Sequence, residues 1–197
     1  MTTINAQQIA ELRKKTGLPM MECKKALVEA DGDEARALEV LKKRGAIKAA
    51  SKAERETKSG LIDCYVHGGK IGVMVEVLVE TDFVAKNDEF KAFVHDVALH
   101  IAATNPKYLN KSEIPAGELE KEKADFLEQI KAEGKPENIA EKIVAGKIEK
   151  YCSEICLLNQ PFVKDQTITI EELLTQKIAK IGENIIISRF CRYELGA

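Results

Sequence analysis

Five cysteines and three histidines are the side chains with which this 197-residue chain could hold a metal ion or supply a nucleophile. Cys152 and Cys156 stand four apart, so a helix would put both thiols on one face. A structural zinc site wants four ligands, commonly in close pairs. Cys23, Cys64 and Cys191, and His67, His95 and His100, all lie far away in sequence. The cysteine pair therefore reads as two small buried hydrophobes. Gly68-Gly69-Lys70 invites comparison with a phosphate-binding loop, but its glycine spacing is wrong and Ile71 stands where that motif needs Ser or Thr. It reads as a hairpin turn, with His67 as a strand-end residue. No Gly-x-Ser-x-Gly elbow and no His-Glu-x-x-His pair occurs. The expectation is a protein that is not an enzyme, without cofactor, metal or nucleotide site of its own.

Recognition chemistry is easier to find. Thr81-Asp82-Phe83-Val84-Ala85-Lys86-Asn87 places an acid, an aromatic and a base where an apolar strand gives way to a helix. Phe83 could pack under the following helix. An aromatic at a rigid strand tip could instead act as a wedge in another protein. A second feature lies near the N-terminus. Met21, Lys24 and Val28 point away from an apolar stripe of Met20, Cys23, Leu27 and Ala30. An apolar patch flanked by lysine suits a partner helix that bears acidic groups. Met21 could equally close the base of a small core.

The elements that must carry these residues follow from punctuation and periodicity. Asn5 caps a helix with Ile9 and Leu12 inward, and Gly17 stops it. Pro19 suits a first helical position and opens a second helix to about Ala30. Asp33 caps a third, with Ala35, Leu38 and Leu41 inward and Gly45 as its expected stop. Residues 1–45 thus form a three-helix module too small for a catalytic cleft. Residues 46–59, rich in Ala, Lys and Glu, read as an exposed helical linker. Residues 60–197 read as a core. Two strands, 60–67 and 70–81, flank the glycine turn, and the second alternates Ile71, Val73, Val75, Val77 and Val79 on one face. A helix from Asn87 or Asp88 carries Phe90, Val94, Val97 and Ile101 and ends before Pro106. Helices at about 117–133, 137–152 and 171–180 follow, and residues 183–195 close the chain as a strand. Helices in runs after a hairpin argue for α+β, a small antiparallel sheet packed with helices.

Composition narrows the class further. Lys+Arg 30 against Asp+Glu 32 leaves a formal charge of -2, poor for a protein that binds nucleic acid directly. The charge is uneven: residues 1–59 hold 13 Lys+Arg and 9 Asp+Glu, so a basic module precedes an acidic core. No run of about 18 apolar residues exists, so no membrane partner is expected. An odd cysteine count behind a polar N-terminus argues for a reducing, cytoplasmic setting.

Several blocks, taken together, resemble bacterial elongation factor Ts. They are LRKKTGLPMMECKKAL at 12–27, GAIKAASK at 45–52, ETDFVAKN at 80–87, HIAATNPKYL at 100–109, GKPENIAEKIVAGK at 134–147, LLNQPFVKD at 157–165 and RFCRYELG at 189–196. They run along essentially the whole chain in the family's order. One departure is Leu18-Pro19, where the family more often has small residues. The resemblance implies a ubiquitin-associated-like three-helix domain and an α+β core. It implies a guanine-nucleotide exchange factor for elongation factor Tu that stabilises the nucleotide-free state. Asp82 and Phe83 would carry a wedge near the partner's Mg²⁺ site, within Thr81, Val84, Lys86 and Asn87. Leu12, Met20, Met21 and Lys24 would dock the module on a partner helix. His67 and Gly68 resemble a segment that touches another partner domain. The length matches a short form with one core half, which implies a homodimer formed through the C-terminal strand. Cys191 lies on that strand, and a reducing cytosol opposes an interchain disulfide there. A protein- or RNA-binding module without exchange activity and a thiol or metal enzyme are the competing readings, and neither accounts for the set of blocks.

Overall fold

The computed structural model describes residues 4–132 and 137–196. Its elements are α1 (Ala6–Thr16), α2 (Met20–Glu29), α3 (Glu34–Ala50), β1 (Ser59–His67), β2 (Ile71–Val79), α4 (Asp82–Ala85), α5 (Asp88–Thr104), α6 (Ala116–Ala132), α7 (Glu137–Ile155), β3 (Pro161–Phe162), β4 (Asp165–Thr169), α8 (Ile170–Ile181) and β5 (Ile185–Glu194). The fold is α+β. One three-stranded sheet has the order β1-β2-β5, and β3 pairs antiparallel with β4.

The chain gathers into two compact units. The first comprises Met1–Gly60, Leu78–Phe90 and Leu174–Ile186. Its first three helices start and stop where local chemistry dictates. Asn5 and Gln8 form a reciprocal capping box at 2.8 and 3.0 Å. Gly17 ends α1 in the left-handed region at φ 66°, and its N–H donates to the Arg13 carbonyl at 2.7 Å. The Asp33 side chain caps α3 at the Arg36 N–H, 2.9 Å away. The three helices enclose Ile9, Leu12, Cys23, Ala26, Leu27, Ala30, Ala37 and Leu41. Arg44 reaches Glu29 at 2.6 Å and Glu22 at 3.9 Å, tying α3 to α2.

Four local expectations are corrected. Met20 is not in the core but 51% exposed. Pro19 caps α2 rather than occupying its first turn. Ala37, not Ala35, turns inward, because the α3 stripe is set by its contacts with α2. Gly45 does not stop α3, which runs on to Ala50. Glycine alone disfavours a helix, but Gly45 is buried, and a side chain there would meet Ala179 at 3.6 Å. Packing therefore overrides the local preference.

The second unit comprises Leu61–Val77, Lys91–Leu173 and Ile187–Ala197. Val73, Val75 and Val77 are buried along β2, as the alternation predicts. In α5, Phe93, Val94, Val97, Ala98 and Ile101 are buried. Asp63 and Tyr65 of β1 meet His95 of α5, the first through a 2.9 Å contact and the second edge-on. The helical hairpin α6–α7 has its own core of Ile114, Ile148, Cys152, Ile155 and Cys156. Glu118 at its base accepts hydrogen bonds from Tyr108 and Tyr151, both at 2.7 Å. His100 is fully buried; its Nδ1 accepts from the Val163 N–H at 3.2 Å and its Nε2 faces Gln160 Oε1 at 3.0 Å. The β3–β4 hairpin was not anticipated, because β3 is two residues long and β4 is polar.

Candidate functional site

The residues from Thr81 to Asn87 are held by hydrogen bonds and by the partial burial of Val84 and Ala85. β2 ends at the buried Val79, and a single helical turn, α4, follows at once. The Thr81 side chain accepts from the Val84 N–H at 3.4 Å and caps that turn. Thr81 also donates twice to Glu183: its N–H to Oε2 at 3.0 Å and its hydroxyl to Oε1 at 2.8 Å. Asn87 closes the segment, accepting from the Glu89 N–H at 2.7 Å and so capping α5. No residue of α4 is buried.

Phe83 is 83% exposed. It does not pack under α5, so the default expectation for a lone phenylalanine fails here. A side chain of this size left in water forgoes about 1.5–3 kcal/mol that burial would supply. Beside it, Asp82 pairs with Lys86 one turn on, at 2.8 Å, with both side chains exposed. The hydrogen bond from Lys86, and then its charge, hold the Asp82 carboxyl below the usual carboxylate range. Val84 is half-buried and Lys86 exposed. The segment therefore projects an aromatic ring flanked by a charge pair on one capped turn.

The N-terminal module offers a second exposed surface within the same unit. Met20 and Met21 (60% exposed) lie at the start of α2, with Lys24 and Val28 exposed one and two turns on. Met21 does not close the module's core. Leu12, expected among the docking residues, is 0% exposed: it stands behind this surface and holds it, and cannot itself meet a partner. Gly17 lies under the Lys180 side chain, where an added Cβ would come within 3.0 Å. Lys180 and Lys177 both reach Glu89, at 2.6 and 3.1 Å. The loop before α2 is thus seated against α8 and the first turn of α5.

In the other unit, Gly68 and Gly69 both adopt positive φ, 56° and 69°, and the Lys70 N–H donates to the His67 carbonyl at 3.0 Å. This is a hairpin turn. The His67 ring stacks on Tyr65, and its Nδ1 lies 3.1 Å from the Tyr65 hydroxyl. His67 and Gly68 are both exposed.

The remaining polar chemistry is structural. Burial, and then Cys152 close by, push the Cys156 thiol up to about 11, which leaves it a poor nucleophile. Among the described residues, no three His, Cys, Asp or Glu side chains gather to hold a metal ion, and no helix is long and apolar enough to cross a membrane. Sequence reasoning missed Glu183. It lies 102 residues from Thr81, and nothing local marks it out.

Comparison with known proteins finds relatives along nearly the whole chain. A family model described as Elongation factor TS matches residues 91–197. Elongation factor Ts of Alkaliphilus oremlandii is 58% identical over 193 residues, covering 98% of this chain and 89% of the relative. Elongation factor Ts of Oleidesulfovibrio alaskensis is 52% identical over 198 residues, covering the whole of both chains. Elongation factor Ts of Fervidobacterium nodosum is 52% identical over 194 residues, covering 98% of each.

Proposed function

The chain belongs to the elongation factor Ts family of translation elongation factors, and from that premise we propose that it promotes release of GDP from elongation factor Tu. The observation that carries this reading is Phe83, 83% exposed on a capped single turn. Exchange needs no covalent step. It needs a conformation of the partner that holds GDP and Mg²⁺ poorly to be bound more tightly than the GDP-bound one. A preference of about 10³-fold corresponds to roughly 4 kcal/mol of coupling. Burying one phenylalanine contributes about 1.5–3 kcal/mol, a large share of that difference, if the ring is buried only in the nucleotide-free complex. By reciprocity, incoming nucleotide expels the factor to the same degree.

The two exposed surfaces then have different parts. Met20, Met21 and Lys24 dock the module and hold the partner in either state, which sets affinity. Asp82 and Phe83 favour one state over the other, which sets how far release is accelerated. His67 and Gly68 make a further contact with the partner. The whole assignment concerns binding only, so no residue has a catalytic part. The setting that fits it is the cytoplasm.

We also propose that two copies of the chain pair through the uncovered side of the β1-β2-β5 sheet. Ile62, Cys64 and Val66 are exposed along β1, Met74 on β2, and Cys191 and Tyr193 on β5. The Glu76–Arg189 ion pair, 2.9 Å, lies across β2 and β5. An apolar row of this kind on a three-stranded sheet supports an interface. A relative covered over its full length shows that this chain length recurs in the family.

Release of a fluorescent GDP from elongation factor Tu tests the main reading. Micromolar protein should accelerate it, and Phe83→Ala should remove most of the acceleration while keeping the fold. No acceleration by the unaltered protein overturns the reading. A Phe83→Ala variant that melts reassigns Phe83 to the core.

A further inference from the structure

We infer that Glu183 is the positioning residue of the wedge: it fixes Thr81, and through Thr81 the turn that presents Asp82 and Phe83. The inference rests on the exchange reading above. A one-turn helix does not persist by itself, and in α4 only Val84 and Ala85 are partly buried and none is fully buried. The hydrogen bonds at its start therefore carry a large part of its orientation. Both oxygens of Glu183 are engaged there, Oε2 by the Thr81 N–H and Oε1 by the Thr81 hydroxyl. Because the hydroxyl hydrogen points to Glu183, its oxygen is free to accept from the Val84 N–H and cap the turn.

The next residue braces the same place from behind. Asn184 is buried, and its N–H donates to Glu80 Oε1 at 2.6 Å. Its side-chain amide donates to the Ala53 and Arg55 carbonyls at 3.3 and 2.9 Å. Glu80 in turn lies 3.5 Å from Arg55. Residues 183 and 184 thus grip both residues that precede the wedge, Glu80 and Thr81, and the chain that leaves α3.

Three substitutions separate the possibilities. Glu183→Met keeps the length and removes both acceptors. Glu183→Gln keeps one oxygen for the Thr81 N–H and offers its amide to the hydroxyl oxygen, so it should rescue. Thr81→Val removes the hydroxyl. Two measurements apply: amide hydrogen exchange at Val84 and Ala85 in the free protein, and a titration of stimulated GDP release that gives the saturating rate and the half-saturating concentration. Glu183→Met should speed exchange at these amides about tenfold and lower the saturating rate about tenfold, with half-saturation changed less than about twofold. The thermal midpoint should hold, Glu183→Gln should restore both readouts, and adding Thr81→Val to Glu183→Met should cost less than Thr81→Val costs the unaltered protein. Unchanged amide exchange in Glu183→Met, full saturating release, or additive losses would each overturn the assignment. If Glu183→Met does not fold, Glu183→Ala takes its place in the same two readouts. If even the unaltered protein fails to stimulate release, the exchange reading falls and the amide-exchange arm still decides the role of Glu183.

Discussion

Lys86 Nζ stands 2.8 Å from Asp82 Oδ2, one helical turn away, with both side chains about three-quarters exposed. The Asp82 carboxylate is therefore already ion-paired, and on the proposed reading a partner that engages Asp82 would exchange one cation for another contact. Lys86→Met should let the Asp82 carboxyl titrate closer to the ordinary range, which a carbon-detected NMR titration would follow. The thermal midpoint should not change, because an ion pair this exposed contributes little to folding. An Asp82 titration identical in the two proteins would show that the pair does not form in solution.

The docking surface and the core behind it should separate cleanly. Met20→Ala and Met21→Ala, at exposed positions, should leave the unfolding midpoint close to that of the unaltered protein. They should raise the half-saturating concentration in a GDP-release titration about tenfold together, with the saturating rate kept. Leu12→Ala should do the reverse of this selectivity. Removing a fully enclosed leucine costs about 2–5 kcal/mol, a large share of what a module of this size can muster. Denaturant unfolding of each variant beside the release titration distinguishes the two classes.

Folding stability should weaken in mild acid through His100. Burial holds its imidazole below the ordinary histidine value, because the charged ring would lie out of water. Its Nδ1 already accepts from the Val163 N–H, so protonation would set two donors against each other. The unfolded chain binds this proton more readily than the folded one. The contribution is therefore full above about pH 6.5 and falls as pH drops through the folded value. The slope from one such group is at most about 1.4 kcal/mol per pH unit. Urea unfolding between pH 7.5 and 5 should show it, and His100→Gln should flatten it.

Pairing of two copies should be sensitive to the sheet's uncovered side. Val66→Asp and Tyr193→Asp, at positions 66% and 74% exposed, put charge into that side without touching a buried contact. Sedimentation of the unaltered protein at micromolar concentration should give a dimer, and either substitution should give a monomer of unchanged helicity. A unaltered protein that sediments as a monomer would remove the proposal.

Much of this arrangement is legible in the sequence alone, and the misses share a cause. Asn5, Gly17 and Asp33 bound their helices because capping is local chemistry. The alternation of β2 and the stripe of α5 placed their valines, Phe90 and Ile101 correctly, and missed Phe93. The TDFVAKN segment was singled out, but whether Phe83 would be buried depends on what passes over it, and sequence cannot state that. Gly45 misled because a contact with Ala179 outweighs its own preference. Leu12 was assigned two roles at once, core and docking, and a fully enclosed side chain can have only the first. Glu183 was invisible because its importance lies entirely in a partner 102 residues away.

Asn184 reads the segment after α3 through the main-chain carbonyls of Ala53 and Arg55, not through their side chains. That grip is indifferent to the side chain at position 53, which is free to drift over evolutionary time, whereas the Arg55 side chain has its own contact with Glu80. Its length is not free in the same way. Inserting or deleting one residue there would rotate a different pair of carbonyls toward Asn184, and Glu80 would follow. Across descendants of this gene, point changes at position 53 should be common and gaps in the stretch rare.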